Sequence, residues 1–361
     1  MTANAPFDLL LAGAGHAHLG VLRLWRAGQR PAGRIALVSE GPYAWYSGML
    51  PGLLAGRYRP QQCRIALEPL CAAAGVELLQ GRLVGLEAAS NSISLENAEG
   101  YAARWLSLNL GSQPQAPATT DISLALLPVK PFAAFLQGWS EWQKASQSLA
   151  ILGGGAAGVE LALALGRQVP QLTLLSNSLL LNGHPPALRR RALRHLAAAG
   201  VQVMEGVAVD AIQGDSLLVA GQPVWRGGRV ILATGASASP WLRESGLDND
   251  ARGFVRIGPT LQSLSHHHVF AVGDCASLPA TPRSGVYAVR QGPLLAANLA
   301  AALASQPLQK YQPQRQALAL LADGQGGALL SWAGLTAEGK WLGRWKDRLD
   351  RRFMALHGAE S

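Results

Sequence analysis

Leu9-Leu10-Leu11-Ala12-Gly13-Ala14-Gly15-His16-Ala17-His18 is an apolar run ending in a glycine turn, and Leu149-Ala150-Ile151-Leu152-Gly153-Gly154-Gly155-Ala156-Ala157-Gly158 repeats the arrangement later in the chain. A strand that feeds glycines opening a helix turns bare backbone N–H groups and a helix N-terminus towards a pyrophosphate. One such loop is a weak signal. Two, each behind a strand-like run, imply two dinucleotides, and the natural pair is a flavin and a nicotinamide. After both comes Val269-Phe270-Ala271-Val272-Gly273-Asp274, where an acid behind a glycine at a strand end can meet a cofactor hydroxyl directly.

Outward from the first turn, residues 7–11 read as a strand, 17–26 as a helix and 34–39 as the next strand, a βαβ unit closing on Glu40. Glu40 stands 40 − 15 = 25 positions after Gly15, close to the spacing of about 20 for a ribose-binding carboxylate; the alternative is an ordinary loop acid. Residues 105–110 form another apolar strand closed by Gly111, and 115–121 read as a linker. Outward from the second turn, a helix is expected over 157–166, a strand over 172–175, a helix over 189–199 and a strand over 229–232 before Ala233-Thr234-Gly235. A second linker covers 236–240, and a helix is expected over 286–303. The predicted fold is α/β: two Rossmann-like dinucleotide-binding domains, one discontinuous (1–115 and 241–325) with the other (116–240) inserted in it, then a helical, amphipathic C-terminal segment, 326–361.

Composition narrows the class. Of 361 residues, 49% are hydrophobic and 15% charged, so large cores can be buried and general disorder is excluded. The net charge of +9 suits an anionic partner such as phosphates, lipid headgroups or nucleic acid, or a surface merely solvated by Arg; with two dinucleotide turns in the chain, no nucleic-acid partner is expected. The N-terminus lacks the basic start of a signal peptide. The apolar stretch 149–165 is broken by glycines and Glu160, so it reads as strand, turn and helix, and no membrane span is expected. Cys63, Cys71 and Cys275 make no C-x-x-C, which fits a reducing cytoplasm and excludes an enzyme dithiol. His266-His267-His268 lacks spaced partners and reads as a loop, so no metal is expected.

Taken together, these motifs resemble the two-dinucleotide flavoproteins of the pyridine nucleotide–disulfide oxidoreductase superfamily, over nearly the whole chain. Within it the chain is similar to type II NADH dehydrogenases, and to the subgroup often fused N-terminally to selenide, water dikinase. The matches are Gly13 to His18, Tyr46-Ser47-Gly48-Met49-Leu50-Pro51-Gly52, Leu127-Pro128-Val129-Lys130-Pro131, Val289-Arg290-Gln291-Gly292 and Lys346-Asp347-Arg348-Leu349-Asp350-Arg351-Arg352-Phe353-Met354. The resemblance implies that the discontinuous domain binds FAD through Gly13, Gly15, His16, His18, Glu40, Gly48, Pro51, Gly111, Gly273 and Asp274. It implies that the inserted domain binds NAD(P)H through Gly153, Gly155, Gly158, Asn177 and Gly235. It also places Glu160 near the nicotinamide–flavin contact and Lys130 and Gln291 near the flavin ring; a surface lysine is the alternative for Lys130. Quinone-reducing relatives carry a Gln where this chain has Tyr287. The implied enzyme is an FAD-dependent NAD(P)H dehydrogenase delivering electrons to an acceptor, a quinone by default or a selenium compound by the second resemblance. A flavin-bearing scaffold without turnover is a further alternative. A selenide, water dikinase partner is expected as a separate chain or not at all.

Two regions leave the outcome open. The second strand of the inserted unit ends at Ser176-Asn177, 176 − 155 = 21 positions past Gly155, with no acid to repel a 2′-phosphate; Arg189 to Arg191 could attract one. Along 340–357, Trp341, Leu342, Trp345, Leu349, Phe353 and Leu356 recur at near-helical spacing among Lys340, Arg344, Lys346, Arg348, Arg351 and Arg352. That stripe either docks on an anionic membrane, giving a cytoplasmic protein peripheral at the membrane face, or packs on the flavin-binding half.

Overall fold

In the computed structural model, which describes residues 6–142, 148–314 and 316–358, each glycine turn stands at the carboxyl end of the middle strand of its own parallel sheet. The first sheet runs Glu77–Gln80, Ile35–Ser39, Phe7–Ala12, Gly100–Leu108 and Val269–Ala271. The antiparallel hairpin Leu83–Glu87 and Ser92–Leu95 continues from the first half of Gly100–Leu108. The second sheet runs Ala125–Pro128, Arg229–Leu232, Leu149–Leu152, Leu172–Ser176 and Gln202–Glu205. Strands buried on both faces read as continuous apolar runs rather than alternating ones, and Leu9, Leu10, Leu11, Ala150 and Ile151 have no exposed surface. The last parallel strand of the first sheet is supplied after the whole of the second has been made.

Helix His16–Leu24 follows the first turn, helix Ala156–Leu165 the second, and helix Gly285–Leu303 lies across His16–Leu24. That crossing is close because glycines meet there. A Cβ on Gly292 would sit 3.1 Å from the Ala17 carbonyl oxygen and 3.5 Å from Gly20 Cα.

Three parts depart from the sequence reading. The linkers are pinned: Gln113–Pro114 pairs with Ala236–Ser237, and Ala118–Thr120 is the edge of a four-stranded sheet with Ala211–Gln213, Ser216–Val219 and Gln222–Arg226. Met49, Leu50, Leu54 and Cys63, early in the chain, pack into the core of the second sheet with Leu161 and Leu163. The C-terminal segment is not helical throughout. Ala328–Trp332 and Leu335–Gly339 are strands of an antiparallel sheet with Ala319–Ala322, joined by the two-residue turn Ala333-Gly334. Both turn residues have positive φ, as a tight hairpin demands, yet Ala in place of Asn or Asp gives little warning of it.

The helix Lys340–His357 follows. Leu342, Gly343, Asp350, Phe353 and His357 are buried on its inner side, while Trp341, Trp345, Leu349 and Leu356 are exposed on its outer side. One side of the stripe therefore packs, and the other is an exposed apolar ridge. Among the described residues no helix is long and apolar enough to cross a membrane. Residues 1–5 and 359–361, at the ends of the segments 1–115 and 326–361, lie outside the described residues.

Candidate functional site

The first turn is built around a residue the motif does not contain. Asn109, just past Gly100–Leu108, accepts the Ala17 and His18 N–H groups at 3.0 and 3.2 Å through Oδ1 and donates Nδ2 to the Val272 carbonyl at 3.0 Å. It thereby joins three strand ends. A Cβ on Gly13 would lie 2.7 Å from the Asn109 carbonyl oxygen, and one on Gly15 would collide with its carboxamide. Among the described residues no protein acceptor meets the Gly15 or His16 N–H, so these remain for an anion at the helix start. His18 is beneath the turn and not in the cleft, a correction to the expected cofactor contact. Its Nδ1 lies 2.6 Å from the Gly13 carbonyl oxygen, its Nε2 lies 2.8 Å from Ser107 Oγ, and burial pushes it down to about 4. Glu40 is exposed directly after Ile35–Ser39, whose Val38 is in register with Ala12.

At the third signature, Asp274 Oδ2 accepts Lys130 Nζ at 2.7 Å, and the same ammonium donates to Ser112 Oγ at 3.2 Å. Lys130 thus pairs with Asp274 from the segment after Ala125–Pro128 in the second sheet. Asp274 Oδ1 is buried and has no partner among the described residues. An orphaned carboxylate oxygen is costly until a donor reaches it, and the ribityl hydroxyls of FAD are such donors, so these residues fit the flavin. Gly111 leaves open space beside its Cα. Gln291 does not reach outward: its Oε1 accepts the Gly273 N–H at 2.8 Å, so it positions the turn that carries Asp274. Tyr287 is also turned away, its phenol donating to the Gln314 carbonyl at 3.3 Å. Both side chains are buried.

The second turn is tight on one side and open on the other. Gly153 has φ +129°, and a Cβ there would strike the Ala233 carbonyl; one on Gly158 would strike the Gly153 carbonyl. Gly155 and Gly235 face open space, as a backbone approached by a dinucleotide must. Asn177 is exposed beside Ser176. Arg189 is held by both oxygens of Glu205, and Arg191 pairs with Glu338 at 2.9 Å. Of the three arginines considered for a 2′-phosphate, only Arg190 is exposed without a partner among the described residues.

Glu160, on the helix after the second turn, accepts the Ala322 N–H at 2.7 Å. Burial raises it to about 7 against the pull of Lys346 and that N–H. The inner face of Lys340–His357 closes this side. Lys346 Nζ donates to the Gly48 carbonyl and to Asp350 Oδ2, each at 2.9 Å, and Tyr46 donates to Asp350 Oδ1 at 3.1 Å. Tyr46 stacks on Phe353 with ring centroids 4.3 Å apart, and His16 packs against both rings. Burial lowers His16 to about 4, so it is neutral at physiological pH. Gly48 enters this cluster through its carbonyl, and Pro51 is buried in the short helix Leu50–Leu54. The three thiols are buried and raised, Cys63 and Cys71 to about 12 and Cys275 to about 11, which leaves no activated nucleophile among them. Among the described residues no group of three or more His, Cys, Asp or Glu is arranged to hold a metal ion.

Comparison with known proteins agrees with this geometry. The chain is 26% identical to the demethylphylloquinone reductase NdbB of Synechocystis sp. over 367 residues, covering 94% of this chain and 90% of that protein. Its fold matches the sulfide:quinone oxidoreductase of Aquifex aeolicus with a TM-score of 0.77 and 17% identity, covering 98% of this chain and 92% of that one. It matches the water-forming NADH oxidase of Lactobacillus brevis with a TM-score of 0.74 and 18% identity, covering 90% and 75%. Residues 7–292 match the family described as Pyridine nucleotide-disulphide oxidoreductase. With two glycine turns of the required build, an acid awaiting a flavin hydroxyl and a family match over most of its length, the chain belongs to the pyridine nucleotide-disulphide oxidoreductase family as an FAD-dependent NAD(P)H oxidoreductase.

Proposed function

We propose that this enzyme passes electrons from NAD(P)H to a quinone taken from an anionic membrane surface. The observation that carries the reading is the two-sided helix Lys340–His357, whose inner face enters the site with Lys346 and Asp350 while Trp341, Trp345, Leu349 and Leu356 are exposed on its outer face. Arg344, Arg348 and Arg352 are exposed alongside. Of the ten large hydrophobic residues exposed among the described residues, six lie from Trp332 to Leu356. Such a ridge suits the headgroup boundary, where each basic residue contributes about 1 kcal/mol near anionic lipid. A cytoplasmic location with peripheral membrane contact follows from this reading. Two of the similar proteins are quinone oxidoreductases by name, which supports the acceptor class.

FAD, when bound, would supply the two-electron chemistry between the nicotinamide and the acceptor. Asp274, oriented by Lys130, would hold a ribityl hydroxyl, and Gln291 fixes the turn that carries it. Overall, NAD(P)H, a proton and a quinone give NAD(P)⁺ and a quinol, so the protein must deliver one proton beyond the hydride. Glu160, protonated in good part near neutral pH, is the group in this cluster suited to hold it.

The test is oxidation of NADH and NADPH by the purified FAD-loaded enzyme with a soluble quinone, a long-chain quinone in anionic or neutral vesicles, selenite, selenodiglutathione and oxygen. The reading expects quinones to win, with the long-chain substrate reduced fastest in anionic vesicles. Faster turnover of a selenium compound would favour the second resemblance. Flavin that NAD(P)H fails to bleach would leave only the scaffold alternative.

A further inference from the structure

The inserted half brings an acid to the strand end where its own sequence shows none. Strand Leu172–Ser176 runs parallel to Gln202–Glu205, and Ser176 is in register with Glu205. Neighbouring strands lie about 4.8 Å apart, so Glu205 starts beside the strand end after which Asn177 is exposed. In a doubly wound unit that strand end meets the adenosine ribose, where an acid favours a free 2′-hydroxyl and an arginine accommodates a 2′-phosphate. Glu205 is engaged by the protein. Its Oε1 accepts the Leu180 N–H at 2.6 Å and Arg189 Nε at 2.8 Å, and its Oε2 accepts a terminal nitrogen of the same guanidinium. The side chains of Arg189 and Glu205 are 28% and 17% exposed, and a fork-on-fork pair of this kind is the strong form of a charged hydrogen bond. The contact with Leu180 also ties down the loop just past Asn177. Leu181, next in that loop, donates its N–H to the Gly154 carbonyl at 2.8 Å, and a Cβ on Gly154 would strike Ser176 Oγ. Arg189 and Glu205 are therefore joined through one loop to the second glycine turn.

We propose that Arg189 sets the nucleotide preference by cancelling the charge of Glu205, so that the inserted domain takes NADPH at least as well as NADH. The proposal rests on the assignment of this domain to NAD(P)H and not on the identity of the acceptor. Arg189 acts as a mask and not as a phosphate ligand, because its guanidinium faces Glu205 through two nitrogens. Without the arginine, an unmatched carboxylate stands near the 2′-phosphate, a group with about two negative charges near neutral pH. NADH lacks that group and is spared the repulsion. Without both side-chain charges the balance returns, since Gln in place of Glu205 keeps an oxygen for the Leu180 N–H.

The test uses the full-length FAD-loaded enzyme. Calorimetry gives the affinities of adenosine 2′,5′-bisphosphate and AMP, and anaerobic bleaching of the flavin gives the apparent affinities of NADPH and NADH. In Arg189→Gln both ratios, bisphosphate over AMP and NADPH over NADH, should fall about tenfold. In Glu205→Gln they should rise, and in the double variant they should return to the native value. Each difference should shrink as salt is raised. A loosened loop would weaken both nucleotides together and would not be repaired by a second substitution. Unmoved ratios in folded Arg189→Gln would overturn the proposal. So would a double variant as poor for NADPH as Arg189→Gln alone, since Arg189 would then be holding the phosphate itself. Failure of both NADPH and NADH to bleach the flavin would instead overturn the assignment of the domain, so the two failures are distinguishable.

Discussion

Asn109 and His18 show how much of a cofactor turn is held from inside the protein. The glycine spacing reads as a place for phosphate, but two of its helix-start N–H groups are taken by Asn109, and His18 spends both ring nitrogens under the turn. His18 has a pH consequence. Its proton affinity is lowered in the folded state, so the unfolded chain binds more protons below about pH 6.5; its stabilising contribution is complete above that pH and is lost as pH falls towards 4. By pH 5 the loss is about 2 kcal/mol. Thermal melts at pH 7 and pH 5 should therefore differ more in the native protein than in His18→Gln, whose melting temperature at pH 7 is lower. Asp274 makes the second prediction at this level. Asp274→Ala removes the orphaned oxygen and leaves Lys130 without its carboxylate, so FAD should bind about 10- to 100-fold more weakly, matching the 1.5–3 kcal/mol of a charged hydrogen bond. Flavin absorbance per protein after dialysis measures it, and wild-type retention by the variant would refute the assignment.

Elements with a strong period or a strong motif were legible before the structure; those decided by distant partners were not. The strand 229–232 matches its observed bounds, and the strand 7–11 and the helices after each turn differ from theirs by a residue or two, because buried parallel strands and glycine turns write themselves locally. Ala118–Thr120 gave no signal, since its three exposed residues owe their strand to pairing with Ala211–Gln213 far along the chain. The same holds in the site, where Asn109 and Ser112 carry no motif, and Tyr46 and Gln291 were recognised without their roles as a donor to Asp350 and a brace for Gly273. The helix Lys340–His357 was visible, but not that its stripe divides between two surfaces. That division is testable. Trp341→Glu with Trp345→Glu should abolish co-sedimentation with anionic vesicles while leaving FAD content unchanged, because both side chains point away from the packed face. Equal sedimentation of the variant and the wild type would remove the membrane from the account.

Across the molecule, the first parallel sheet is completed only after the second has been made, and a C-terminal helix is laid over Tyr46 and Gly48. Cross-links between the halves, Lys130 to Asp274 and Gln113–Pro114 to Ala236–Ser237, hold the two sites in one geometry. The central claim is electron flow through that geometry from NAD(P)H to a quinone. Anaerobic double-mixing stopped-flow of the FAD-loaded enzyme tests it most directly, first with one equivalent of NADPH or NADH and then with quinone. The account predicts that flavin absorbance is bleached in the first mix and returns in the second with a rate that rises with quinone concentration. Flavin that bleaches but stays reduced in the presence of quinone, while another acceptor restores it, would contradict the account.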